Sequence, residues 1–210
     1  MLSLLLGTLL NMRGSEPAGV FVDANVLYSK TLLDWLGLLY VNREFEPPFV
    51  VYWSDDVMVE AMRELRRHDP RLPGGTIARF RERLEGTFEV GHVRDYDVDG
   101  TYGGPDEHDA HVHAAAVACG ASYLLTCNVR DFRTATPDTL PYEVITPDEF
   151  FLLIDDCAPD LVQAVIGEQI HHLTQRGRRV ELPERLQGAG CPHFAERVLR
   201  HLRRRALLGG

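Results

Sequence analysis

The feature that most restricts the fold is a repeated alternation of short apolar runs with longer segments of helical spacing. Gly19-Val20-Phe21-Val22 ends in Asp23, Phe49-Val50-Val51-Tyr52-Trp53 follows Pro47-Pro48, and Ser122 to Thr126 and Tyr142 to Ile145 complete the clear strands. Phe88-Glu89-Val90 reads as a further short strand. Between them, Val26 to Tyr40 carries leucines and Trp35 at helical spacing, and Ser54 can cap a helix with Asp55 and Asp56 in its first turn and Met58, Met62 and Leu65 facing the core. Ile77 to Leu84 and Asp106 to Cys119 read as helices, the latter stopped by Gly120, while Arg94 to Pro105 is loop. Strands alternating with helices imply parallel pairing. The expected fold is α/β, a three-layer α/β/α sandwich around a central, mostly parallel sheet.

Three segments are expected. Residues 1–18 form an N-terminal extension, 19–152 the main domain, and 153–210 a basic helical extension containing helices at Leu161 to Leu173 and Phe194 to Leu208 joined through Arg176 to Arg179. The opening apolar run has no basic residue ahead of it and is too short to span a bilayer, so it reads as a disordered segment or a start placed upstream of Met12. No other apolar run reaches spanning length, and four scattered cysteines without a CxxC pair suit free thiols. The expected setting is the reducing cytoplasm. Of the formal charge of −9, the stretch from His171 to Arg205 carries +6 and the rest −15, an acidic body with a basic tail.

The acids carry the chemistry. Asp23 stands at the carboxyl end of the first strand, the edge where open parallel sheets bind ligands, with Asn25 as a neighbouring partner or helix cap. Glu60 lies at the edge of the apolar stripe of the helix after the second strand, and Asp109 falls on the packed face of the helix bearing Val112 and Ala116. A lone carboxylate there would be costly to bury without a counter-charge. Asp106 reads as either a helix cap or an outer ligand. The fourth position is open among Thr126, Asn128 and Asp131, which follow the strand at Leu124-Leu125.

Carboxylates gathered on one edge repel unless a cation sits among them, and oxygen-only ligation favours Mg²⁺ or Mn²⁺. His108, His111 and His113 occupy successive sides of one helix and HExxH is absent, so zinc is not expected. Asp23, Glu60 and Asp109 with such a cation suit activation of water for in-line attack on a phosphodiester, leaving a 5'-phosphate and a 3'-hydroxyl. Arg130 is the nearest cationic side chain, or else a solvated loop arginine. His111 either orients substrate or is structural.

Taken in order, Val22-Asp23-Ala24-Asn25-Val26-Leu27-Tyr28, Glu60, Asp106-Glu107-His108-Asp109-Ala110-His111-Val112 and Leu124-Leu125-Thr126-Cys127-Asn128-Val129-Arg130-Asp131-Phe132 resemble the PIN-domain ribonucleases, and more closely the toxin subunits of bacterial VapBC toxin–antitoxin pairs. The resemblance covers roughly residues 20 to 152. It implies that Asp23, Glu60 and Asp109 bind metal, Mg²⁺ or Mn²⁺. The family often has Asp where Asn128 stands, and Asp131 would then supply the missing charge.

The resemblance further implies a Mg²⁺-dependent endoribonuclease that inhibits translation. Its implied partners are an RNA substrate, a cognate antitoxin and a second copy, as a homodimer or toxin–antitoxin hetero-oligomer. Arg203, Arg204 and Arg205 then read as RNA backbone contacts or as a solvated basic helix end. Tyr28, Tyr96, Tyr102 and Arg130 are the candidates for reading unpaired bases. Asn128 keeps a different class open, a PIN-like RNA-binding or scaffold protein with weakened cleavage. A DNA-processing nuclease would use the same acids.

Overall fold

The computed structural model describes residues 17–132 and 140–208. Most of the expected N-terminal extension therefore lies outside the described residues. The chain forms two compact units, one of Ala18–Lys30 with Phe49–Thr146, the other including Thr31–Pro48 and Pro147–Gly210.

In the first unit, five strands lie in the order β3-β2-β1-β4-β5. They are β1 (Ala18–Val22), β2 (Phe49–Ser54), β3 (His92–Val93), β4 (Tyr123–Leu125) and β5 (Glu143–Ile145). Every pairing is parallel. The architecture is α/β, an all-parallel central sheet flanked by helices, consistent with the three-layer α/β/α sandwich expected. Val20, Phe21 and Val22 of β1, Val51 and Trp53 of β2, and Leu124 and Leu125 of β4 are wholly excluded from solvent, as strands covered on both faces must be.

Chain order explains where the sheet opens. From β1 the chain steps outward to β2 and β3, then returns across β1 to β4 and steps the other way to β5. Right-handed crossovers in opposite directions place their connections on opposite faces, so the crevice opens between β1 and β4 at their carboxyl ends. Asp23 follows β1 and Thr126 follows β4 at that crevice, where the Asp23 amide donates to the Leu125 carbonyl at 3.0 Å.

The helices of this unit are α1 (Ala24–Leu27), α3 (Asp55–His68), α4 (Gly74–Thr87) and α5 (Ala110–Ala118). Ser54 caps α3 as expected, its hydroxyl accepting from the Val57 amide at 3.4 Å. Asp55 and Asp56 in the first turn and Arg66, Arg67 and His68 in the last complement the helix dipole. The continuous helix expected over Val26 to Tyr40 is broken after Leu27 and resumes at Lys30 as α2 (Lys30–Tyr40).

The edge strand is displaced from Phe88-Glu89-Val90. Glu89–Gly91 is a 3₁₀ turn, and pairing occurs at Trp53 with His92 and Ser54 with Val93. Trp53 fixes this register by donating its indole N–H to the Phe88 carbonyl at 2.9 Å and stacking on His92 with centroids 4.0 Å apart. A Cβ at Gly91 would overlap the Val51 carbonyl, so only glycine allows this approach.

The second unit contains α2, α6 (Pro147–Cys157), α7 (Pro159–Gln175), α8 (Leu182–Gly188) and α9 (Pro192–Leu208). Trp35, Phe151 and Phe194 form its aromatic core, with the Trp35 and Phe194 rings edge-on at 5.0 Å. Acids of α6 meet bases of α9 one helical turn apart. Asp148 accepts from the Phe194 amide at 2.8 Å and from His193 at 2.7 Å, and Asp155 accepts from Arg197 at 3.1 Å and His201 at 2.7 Å. The short α8 was not legible as a separate helix. Among the described residues no helix is long and apolar enough to cross a membrane.

Candidate metal centre

Asp23 occupies the N-cap position of α1, yet its side chain makes no capping bond. Its Oδ2 instead accepts from Asn25 Nδ2 at 2.6 Å and from the Thr126 hydroxyl at 2.7 Å. Asn25 also donates to Thr126 Oγ1 at 2.9 Å, and its Oδ1 accepts from the Cys127 amide at 2.9 Å. The ends of β1 and β4 are thus laced together through one carboxylate that is only 6% exposed. Burial pushes the Asp23 carboxyl above its ordinary range, and the Thr126 bond opposes that rise.

Asp109 closes the 3₁₀ turn Glu107–Asp109 and starts α5, and its side chain also makes no capping bond. Val112 and Ala116, on the same face, are fully buried, which draws the Asp109 side chain inward. Carboxylate oxygens of Asp106, Asp109 and Asp131 all lie within 4.8 Å of one another, and this group could hold a metal ion. Burial, followed by the charges of Asp23, Asp106, Asp131 and Glu60, holds the Asp109 carboxyl up at about 7. The mutual repulsion joins all five acids electrostatically.

Asp106 acts as a cap and also stands among the clustered acids. One oxygen accepts from the His108 amide at 3.0 Å and caps the turn, while the side chain belongs to the acidic group. At the fourth position Asp131, not Asn128, stands among the carboxylates. Asn128 is a donor to it: its side-chain amide bonds Asp131 Oδ2, and its backbone N–H reaches Thr126 Oγ1 at 3.0 Å.

Glu60 lies on α3 with its side chain 46% exposed, and burial and then the Asp23 charge raise its carboxyl. Its Oε2 lies 3.8 Å from His111 Nε2. Arg130 is exposed on the loop after β4. Arg203, Arg204 and Arg205 are exposed on α9 in the other unit.

Two tyrosines have roles that sequence reading missed. Tyr96 donates to Asp56, and Tyr102 donates to the Asp131 backbone carbonyl at 2.6 Å. A Cβ at Gly104 would overlap the Tyr102 ring and approach that same carbonyl at 2.6 Å, so Gly104 was the available signal. Tyr102 thus ties the loop before α5 to the acidic edge, and Tyr96 ties it to the first turn of α3.

The donor set fits a hard dication. Ligand oxygens around an octahedral Mg²⁺ stand about 3 to 4 Å apart, so small side-chain rotations would close the carboxylate group on one ion. No protein-family model matches the chain, and no curated protein or solved structure gives a significant match.

Proposed function

We propose that this chain is a metal-dependent endoribonuclease of the PIN-domain kind, a VapC-like toxin that uses Mg²⁺ or Mn²⁺ and is neutralised by a cognate antitoxin. The observation that carries the reading is the convergence of Asp106, Asp109 and Asp131 beside Asp23 and Glu60 at the carboxyl edge of β1 and β4. Acids this close are poorly compatible with one another as bare anions and well suited to a shared cation.

In this reading Asp109, Asp131 and Asp106 hold the ion, with Asp23 and Glu60 completing its surroundings. The bound cation would neutralise the scissile phosphate and lower the pKa of an attacking water. Asn25 and Thr126 fix the Asp23 carboxylate, and Asn128 orients Asp131. Asp109, held up at about 7 without a cation, would be drawn into its ionised form by the ion it binds. Arg130, exposed on the loop after β4, would meet phosphate charge. A single-stranded RNA fits an open sheet edge of this type, and a basic antitoxin segment would suit the same acids.

The test is cleavage of defined tRNA, mRNA and rRNA pools with and without Mg²⁺, comparing wild type with Asp23→Asn and Asp109→Asn. Each substitution is expected to reduce the rate by about 100-fold or more, in line with the loss of a metal-organising group. Wild-type rates in both variants would sink the catalytic reading. RNA binding without Mg²⁺-dependent cleavage in the wild type would favour the scaffold class instead.

A further inference from the structure

We propose that His111 and Glu60 form a nitrogen-containing metal subsite beside the all-carboxylate one, and that it takes a transition-metal dication such as Zn²⁺ or Co²⁺ in preference to Mg²⁺. This rests on the reading of the acidic edge as a cation site.

The His111 ring is fixed from behind. Its Nδ1 lies 2.8 Å from the carbonyl of His108, and a carbonyl can only accept, so Nδ1 carries the proton. In the neutral ring the lone pair is then on Nε2. That atom is buried and has no hydrogen-bond partner among the described residues. The Glu60 Oε2, at 3.8 Å, is beyond hydrogen-bond reach.

An unsatisfied buried polar atom is costly to folding, and few native ones lack a reason. Metal-ligating histidines have this arrangement, with one ring N–H given to a backbone carbonyl and the other nitrogen left for the metal. Two ligand atoms of one ion stand about 3 to 4 Å apart, which matches the gap between His111 and Glu60. The charge of His111 also bears on the Asp23 carboxyl, the acid at the end of β1.

Ligand chemistry separates the two subsites. Imidazole nitrogen favours zinc and its neighbours, whereas Asp106, Asp109 and Asp131 offer the oxygen-only set that suits Mg²⁺. The sequence hid this because His108, His111 and His113 point to different sides of the helix. His113 is used elsewhere, its Nδ1 lying 2.7 Å from the Tyr142 hydroxyl.

Co²⁺ titration of the full-length protein tests the proposal, followed by proton NMR. A Co²⁺-bound His111 gives a strongly shifted, exchangeable signal from its Nδ1–H. His111→Gln is expected to abolish that signal and weaken Co²⁺ binding by about 10-fold or more, with Mg²⁺ binding unchanged. Glu60→Gln keeps the ring in place and is expected to weaken Co²⁺ binding as well. Circular dichroism confirms that each variant is folded.

Co²⁺ binding that is indifferent to both substitutions would overturn the subsite. If Mg²⁺ binding and Mg²⁺-supported RNA cleavage persist in that case, the ribonuclease reading survives alone. If wild type binds neither cation, both ideas fail.

Discussion

Replacing Asp109 with asparagine should stabilise the metal-free protein at alkaline pH and progressively less toward acid pH. The Asp109 carboxyl is held at about 7 by burial and by the charges of Asp23, Asp106, Asp131 and Glu60. An unfolded aspartate titrates near 3.9, so between those values the folded state binds more protons than the unfolded state. Stability therefore falls as pH rises through this window, and the full penalty is present above about 7. Taken at face value the displacement is worth ~4 kcal/mol. The carboxylate is half-buried, and solvent screening reduces the expected penalty to about 1 to 2 kcal/mol. For a chain of this size that corresponds to about 2 to 8 °C in Tm. Thermal melts in chelator from pH 5 to 8.5 should show the variant ahead by that margin at the alkaline end and by less than half of it at pH 5, since the window opens near the unfolded value of about 3.9. Adding Mg²⁺ at pH 8.5 should raise the wild-type Tm and not that of the variant. A pH-independent difference between the two proteins would refute the electrostatic account of the acidic edge.

Two further predictions concern the scaffold. Asp155→Ala removes the α6 acceptor of His201 and one of the two acceptors of Arg197, which keeps Asp156, and urea denaturation should show a loss of about 2 kcal/mol; a loss below about 1 kcal/mol would show that the buried Asp155 pairing contributes little. Gly91→Ala forces a methyl group against the Val51 carbonyl and should cost about 3 kcal/mol while detaching β3, read as faster amide exchange at His92 and Val93. Unchanged exchange there would mean that β2 yields more easily than its packing implies.

The α/β class and four of the five strands were legible, β1, β2 and β4 because buried parallel strands announce themselves as apolar runs, and β5 from the short Val144-Ile145 pair ahead of Pro147. Asp23 could be placed at a strand end, and Asp109 at a helix start, from local pattern alone. The edge strand could not be placed. Its position depends on Trp53 bonding the Phe88 carbonyl and on the Val51 carbonyl approaching Gly91, contacts between segments far apart in the chain. The break between α1 and α2 was invisible for a related reason, since the leucine spacing runs across it.

For the site, the sequence by itself determined which acids exist and which sheet edge they approach. Only the tertiary structure decided their company. It brought Asp131 among Asp106 and Asp109, turned Asn128 into its donor, freed the Asp23 carboxylate from helix capping and set the orphaned His111 nitrogen opposite Glu60. The physical reason is that strand order and loop closure set those distances, while residue pattern reports only the local face of each element.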